Sequence, residues 1–332
     1  MSLFRLRKGD LGKFLRKAAE SSELIAPLAC ADGLVRFQQV RRGDGAVTAD
    51  LARLDLKRQA FFPAKEFFFP QEEEVLAFEG GGVRPVLPPR VKRVFFGLRL
   101  CDLNAIARQD LALLSPPVDA YYARRREGAL LLGWHCRKPP HEYCFCGSLG
   151  LRQDCCDALF FDRGGELLVE VNSRQGEEFI KSFKGLFKPR SGELTPRDRA
   201  IPGASRLEKK DLSAFYDSAA WEEGVAKCLS CAACTALCPT CYCFELKEEA
   251  PSCGSCPTRS RCWSSCQLES FTRVAGGFVF RKSRADRFKH RIYHQLQYFR
   301  EKHGVDLCVG CGRCIAGCPT RIDFVKIING LK

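Results

Sequence analysis

Cys228, Cys231, Cys234 and Cys238, with Pro239 next, form a C-x-x-C-x-x-C-x-x-x-C-P run, and Cys308, Cys311, Cys314, Cys318 and Pro319 repeat it near the C-terminus. Thiolates at this spacing wrap one face of an iron–sulfide cubane, and the fourth cysteine of each run crosses to the neighbouring cubane. The runs therefore predict one [4Fe–4S] cluster on Cys228, Cys231, Cys234 and Cys318, and a second on Cys308, Cys311, Cys314 and Cys238. Such centres carry single electrons. Zinc and disulfides are the alternatives, but a zinc ion takes four ligands, and eight cysteines in two matched runs exceed that. Ala232, Ala233, Gly310, Gly312 and Gly317 keep bulk out of the runs. Backbone N–H groups are then free to turn toward sulfur, a lever on cluster potential alongside burial and charge. Pro239 and Pro319 stop the ligand-bearing turns by fixing φ and removing a donor.

Thirteen of the 21 cysteines lie outside these runs. Cys136, Cys144 and Cys146 follow a strand ending at Trp134, and Cys101 follows the preceding strand in G-L-R-L-C-D. Loops at the carboxyl ends of neighbouring parallel strands converge, so these four thiols are a candidate third site for an iron–sulfur cluster or zinc. If 144–146 is extended, its period of two puts Cys144 and Cys146 on one side. The plainer reading is four small buried hydrophobes. Cys253, Cys256, Cys262 and Cys266 form C-x2-C-x5-C-x3-C, which suits a zinc knuckle or another cluster. Cys241 and Cys243, directly after the first run, either line the cluster cavity or donate weak hydrogen bonds. Cys30, Cys155 and Cys156 carry no pattern.

The elements that must position these thiols read as two domains. Residues 1–205 form an α/β domain. Met1 to Lys17 reads as a basic amphipathic helix packed on its own domain, with a membrane-surface role as the lesser alternative. Leu24–Leu28 and Leu34–Val40 flank a D-G turn as a hairpin. The aromatic stretch around Phe61, Phe62, Phe67, Phe68 and Phe69 packs as core. Val91–Leu98 and Ala129–Trp134 are strands around a helix over Asp102–Leu114, the unit of a mainly parallel sheet. Ala158–Phe161 and Leu167–Val171 make a second hairpin, and Glu177–Phe187 a short helix. Lys188–Pro202 reads as a breaker-rich linker.

Residues 206–332 read as a mainly α-helical, ferredoxin-like di-[4Fe–4S] domain with a Cys-rich insert at 241–280. Amphipathic helices over Leu212–Lys227 and Arg284–Lys302 deliver the chain into the two runs. Gly80-Gly81-Gly82 reads as a flexible turn, since no helix signal follows to make a phosphate cradle. His290 and His294 share a helix face, but without a metallo-hydrolase motif they read as surface residues.

The chain has 332 residues and a formal charge of +14. Two clusters with their thiolates bring the holoprotein to roughly +10 by ligand stoichiometry. A basic surface steers acidic partners, and no nucleic-acid-binding motif accompanies the charge. No secretory segment and no run of membrane-spanning length is present. Abundant thiols without a disulfide framework point to a reducing cytoplasm. No dinucleotide fingerprint or Walker motif occurs.

Five segments in order carry a family resemblance: F-F-G-L-R-L-C-D-L-N-A-I (95–106), the C-F-C of 144–146, C-L-S-C-A-A-C-T-A-L-C-P-T-C-Y-C-F (228–244), C-Q-L-E-S-F-T-R-V-A-G-G (266–277) and C-V-G-C-G-R-C-I-A-G-C-P (308–319). From about residue 55 onward the chain resembles the iron–sulfur β subunits of cytoplasmic NADP-linked [NiFe] hydrogenases (sulfhydrogenases), and equally the A subunit of anaerobic sulfite reductase. It departs from that pattern at Leu100, where the family has proline, and in the added Cys253, Cys256 and Cys262. The resemblance implies an electron conduit docked on a flavoprotein subunit that handles NAD(P)H, beside a terminal subunit of hydrogenase or sulfite-reductase type. The alternative is an enzyme in its own right, using a third metal centre to reduce a disulfide or sulfur compound.

Overall fold

The computed structural model describes residues 2–249 and 257–332. The strands are β1 (Ser2–Arg7), β2 (Glu23–Ala29), β3 (Val35–Gln39), β4 (Glu72–Glu79), β5 (Gly82–Pro85) and β6 (Arg93–Leu98). They continue with β7 (Ala129–Trp134), β8 (Ala158–Asp162), β9 (Glu166–Val171), β10 (Lys188–Pro189), β11 (Phe244–Glu249) and β12 (Thr258–Trp263).

Eight of them form one sheet in the order β10-β1-β9-β8-β7-β6-β2-β3. Its centre, β2 to β8, is parallel, and antiparallel strands close both flanks. Both faces of the centre are buried, as parallel sheets require. Val94, Phe96, Leu130 and Leu132 point to one core, where Phe14 of the helix Leu11–Ser21 packs against Phe96, Phe160, Phe183 and Phe187. Phe95 and Leu131 point to the other, shared with the helix Leu100–Leu113 and with Val309, Cys311 and Ile315 of the C-terminal region.

Both predicted hairpins and the strand–helix–strand unit are present. Four expectations need correction. The N-terminus enters as strand β1, paired with β9, before its helix starts at Leu11. Phe4 and Leu6 are buried and alternate with exposed Arg5 and Arg7, a period of two rather than 3.6. Leu212–Lys227 is two pieces, a turn at Leu212–Phe215 and the helix Trp221–Lys227, joined where Trp221 Nε1 donates to the Phe215 carbonyl (2.7 Å). The 188–202 stretch is tied to the sheet edge: β10 pairs with β1, and Asp198 and Arg199 pair with Arg163 and Glu170.

The fourth correction concerns the mainly helical character expected of the cysteine-rich region. β11 and β12 form a hairpin there, and β12 joins β4 and β5 in a four-stranded antiparallel sheet, β11-β12-β4-β5. The fold is mixed α/β with a two-cluster region at its C-terminal end. Arg261 of β12, deeply buried, pairs with Glu73 of β4 and with Asp119, which gives the acidic Glu72–Glu74 stretch a structural role. Gly80 and Gly81 are its two-residue hairpin turn, both at positive φ (57° and 79°) as that turn demands.

Candidate iron–sulfur centres

The two cysteine runs fold into matching loops. In each, the residues two and four places after the first cysteine take positive φ: Ser230 (51°) and Ala232 (65°) in one, Gly310 (64°) and Gly312 (70°) in the other. The N–H of Ser230 donates to Cys228 Sγ and that of Gly310 to Cys308 Sγ, both at 3.4 Å. Short helical turns follow at Ala233–Ala236 and Arg313–Ala316. Each fourth cysteine then meets a threonine hydroxyl two residues on, Cys238 with Thr240 (3.1 Å) and Cys318 with Thr320 (3.4 Å).

All eight cysteines line one cavity, walled mostly by apolar side chains such as Val309, Ile322 and Phe324, with Arg291, Gln267, Gln295 and Thr320 among them. Its ends differ. Cys231 is solvent-exposed and its neighbour Leu229 is 63% exposed, whereas Cys311 and Cys238 are buried.

Two cations are sealed in beside these thiols. Arg291 (9% exposed) donates to the Cys234 carbonyl (3.2 Å) and leaves its Nε without a partner. Lys65 (3% exposed) donates to the carbonyls of Thr235 (3.3 Å) and Cys241 (3.1 Å) and lies 4.0 Å from the Trp263 ring centre. Burial pushes the Lys65 ammonium below the usual lysine range, against the pull of the Cys241, Cys238 and Cys243 thiols. Burial also disfavours the Arg291 charge, but Cys241, Cys238, Cys234 and Cys314 hold it protonated. Among the described residues neither cation forms an ion pair with a carboxylate. Buried charge of one sign is costly unless compensated, and a [4Fe–4S]²⁺ core with four thiolates brings about two negative charges. The donor set and the buried cations both fit such clusters. The sequence reading missed both cations, treating basic residues only as surface charge.

The four candidate thiols of the third site also meet. Cys101, Cys136, Cys144 and Cys146 line a separate cavity of about 330 Å³ with Gln59 and Arg99. Cys101 and Cys146 are in thiol–thiol contact, a hydrogen bond that lowers the Cys101 pKa against its burial and raises that of Cys146. Arg99 Nη1 donates to Cys136 Sγ (2.9 Å). The group lies directly on the second loop: Phe145 N donates to the Gly310 carbonyl (2.8 Å), as does Cys146 Sγ (3.2 Å), and Cys144 Sγ reaches the Cys311 carbonyl (3.7 Å). A Cβ on Gly312 would fall 2.5 Å from the Tyr143 carbonyl oxygen, so glycine is needed there for close approach as well as for φ.

The insert set is not assembled in the same way. Cys253 and Cys256 lie outside the described residues. Cys262 sits on β12 opposite Glu72 and Glu245, while Cys266 contacts the Cys243 thiol. Cys243 and Cys241, given no ligand role by spacing, thus sit with the buried cations, and the Cys241 thiol contacts that of Cys238. His290 and His294 are half-buried and stacked on each other (5.8 Å). Among the described residues no three Cys, His, Asp or Glu side chains close around a single ion. No helix among the described residues is long and apolar enough to cross a membrane.

Residues 227–322 match the 4Fe-4S dicluster domain family. The class is thereby defined: this is an iron–sulfur protein with two [4Fe–4S] clusters, and it serves electron transport. Over its full length the chain is similar to the sulfhydrogenase 2 subunit beta of Pyrococcus furiosus, 33% identical over 346 aligned positions that span 100% of this chain and 99% of the relative. The chain belongs to the sulfhydrogenase β-subunit family.

Proposed function

We propose that this electron-transfer subunit works inside a cytoplasmic complex, between a flavoprotein subunit that handles NAD(P)H and a terminal hydrogenase- or sulfur-reducing subunit. Cys228, Cys231, Cys234 and Cys318 hold one cluster, and Cys308, Cys311, Cys314 and Cys238 the other. Each cluster supplies one-electron chemistry when bound. The chain's own residues bind it through thiolates, exclude water with Val309, Ile322 and Phe324, and offset its charge with Arg291 and Lys65.

The observation that carries the reading is the polarity of the eight-thiol cavity. Its first loop is open to solvent at Cys231 and Leu229, and its second loop is buried against the thiols of Cys101, Cys136, Cys144 and Cys146. A redox partner docks at the open end, over the exposed Leu229. The inner thiols form a third iron–sulfur site: four thiolates around one cavity match the ligand number of a further cluster. The α/β region is the rigid frame that holds them at strand ends. The proposed boundary at 205/206 divides roles more than cores, because the second core and the small sheet both span it.

The test is anaerobic isolation of the tagged chain from its native cells. A co-purifying flavin subunit and NAD(P)H-dependent bleaching of the clusters are expected. Recovery as a monomer whose clusters no such flavoprotein reduces would refute the partner assignment.

A further inference from the structure

A broad, open cleft lies where β6, β7 and β8 end, lined by Lys57, Arg99, Trp134 to Pro140, Phe161 to Arg163, and Thr195, Arg197, Asp198 and Ala200. Three consecutive parallel strands thus deliver their carboxyl ends to one crevice, the place where open α/β sheets bind ligands. It is distinct from both thiol cavities, touching the inner one only through Arg99, Cys136 and Pro140.

Two observations say what it would hold. At the floor, His135 is 2% exposed and stacks on Phe161 (4.9 Å), and apart from an Arg199 backbone group close by, its ring nitrogens have no hydrogen-bond partner among the described residues. Buried polar atoms left so are uncommon and call for a missing partner. At the mouth, Lys57, Arg137, Lys138 and Arg197 are exposed and none is in an ion pair among the described residues, Arg137 donating only to the Asp162 carbonyl (3.3 Å), while Arg163 is already taken by Asp198 and Asp162 by Lys8. The cavity therefore has four positive charges with no carboxylate partner among the described residues, and both of its carboxylates are already paired. A monocarboxylate needs one or two such groups; four suit a polyanion, and guanidinium and ammonium groups are the usual partners of phosphate.

We infer that this cavity binds a phosphorylated small molecule carrying two or more phosphates, its charged end among Lys57, Arg137, Lys138 and Arg197 and a polar group against His135. The site is independent of the redox partners proposed above, and its failure would leave them standing. Inorganic polyphosphate and a nucleotide share the phosphate chemistry and differ at the floor.

The test uses the full chain with its clusters in place, titrated calorimetrically at low salt with inorganic pyrophosphate and with ADP. Binding of ADP more tightly than pyrophosphate identifies a nucleotide whose base reaches His135 and Phe161; equal binding identifies the inorganic polyanion. In either case the double variant Lys138→Gln/Arg197→Gln weakens binding at least tenfold and leaves the cluster absorption unchanged. For ADP, His135→Phe removes its advantage over pyrophosphate while the melting temperature is retained. Absence of binding by both probes at millimolar concentration overturns the inference, as does binding that the double variant leaves intact. If the double variant instead loses a co-purifying subunit while neither anion binds, the face is a protein contact and the small-ligand reading is wrong.

Discussion

Replacing Arg291 by glutamine removes one positive charge from the wall shared by both halves of the eight-thiol cavity and keeps much of the side-chain volume. Arg291 is 9% exposed, and its charge is held by thiols of both runs, Cys238 and Cys234 from the first and Cys314 from the second. At an effective dielectric near 20 and a separation of about 8 Å, a unit charge interacts with an added electron by about 2 kcal/mol. For a one-electron couple, where ~59 mV is a factor of ten, this corresponds to roughly 90 mV. Both clusters should become harder to reduce by about that amount. Arg291→Lys should recover most of the loss. The shift should vary little with salt, because buried charges are poorly screened. The assay is a potentiometric titration followed by paramagnetic resonance, with iron and sulfide counted beforehand. Intact clusters whose midpoint potentials match the parent in Arg291→Gln would refute the assignment of this guanidinium as their countercharge.

Other expectations follow from the same geometry. Cys311→Ala should remove or convert one cluster while the eight-stranded sheet stays folded; survival of both clusters with unchanged spectra would show the ligand assignment to be wrong. Correctly matured chain should contain about twelve irons if the inner thiols hold a cluster, falling by about four in Cys136→Ser or Cys144→Ser; a count near eight with no zinc returns those thiols to packing. Gly312→Ala should destabilise by about 1–3 kcal/mol, from positive φ and the collision with Tyr143. Ala232→Gly, at the matching position of the open loop, should stabilise by about 1 kcal/mol by relieving left-handed strain; both are read by denaturant melting.

The chemistry was far more legible than the frame. Ligand spacing is local in sequence, so both runs could be read directly, and the convergence of Cys101 with Cys136, Cys144 and Cys146 followed from the rule for parallel strand ends. What escaped was non-local. Glu72–Glu74 was given no element, because the partner of Glu73, Arg261, is supplied by a strand almost two hundred residues away. Cys266 was grouped with Cys262 by spacing, yet its contact is Cys243, across the hairpin. Lys65 and Arg291 looked like surface charge because burial of a cation is decided by what it faces, which composition does not record. The N-terminus was misjudged for a simpler reason: Phe4 and Leu6 satisfy a strand, and only the residues from Leu11 satisfy a helix.

The small sheet and the packing of the second loop also bear on how the chain is made. Arg261 reaches back 188 positions to Glu73, Arg108 donates to a carbonyl 198 positions on, and Arg313 to one 253 positions before it. Domains usually complete themselves as they leave the ribosome, but here the Gly310–Cys311 loop that covers the inner thiols is added long after the sheet and its helix Leu100–Leu113 have been made. Until then the thiols of Cys144 and Cys146 lack the Gly310 and Cys311 carbonyls they contact in the folded chain. If the inner thiols hold a cluster, as proposed, its iron and sulfide are most readily delivered before that loop docks. On that reading metallation of the inner thiols is a step of folding, and deletion of the 308–319 loop should leave them accessible to thiol reagents.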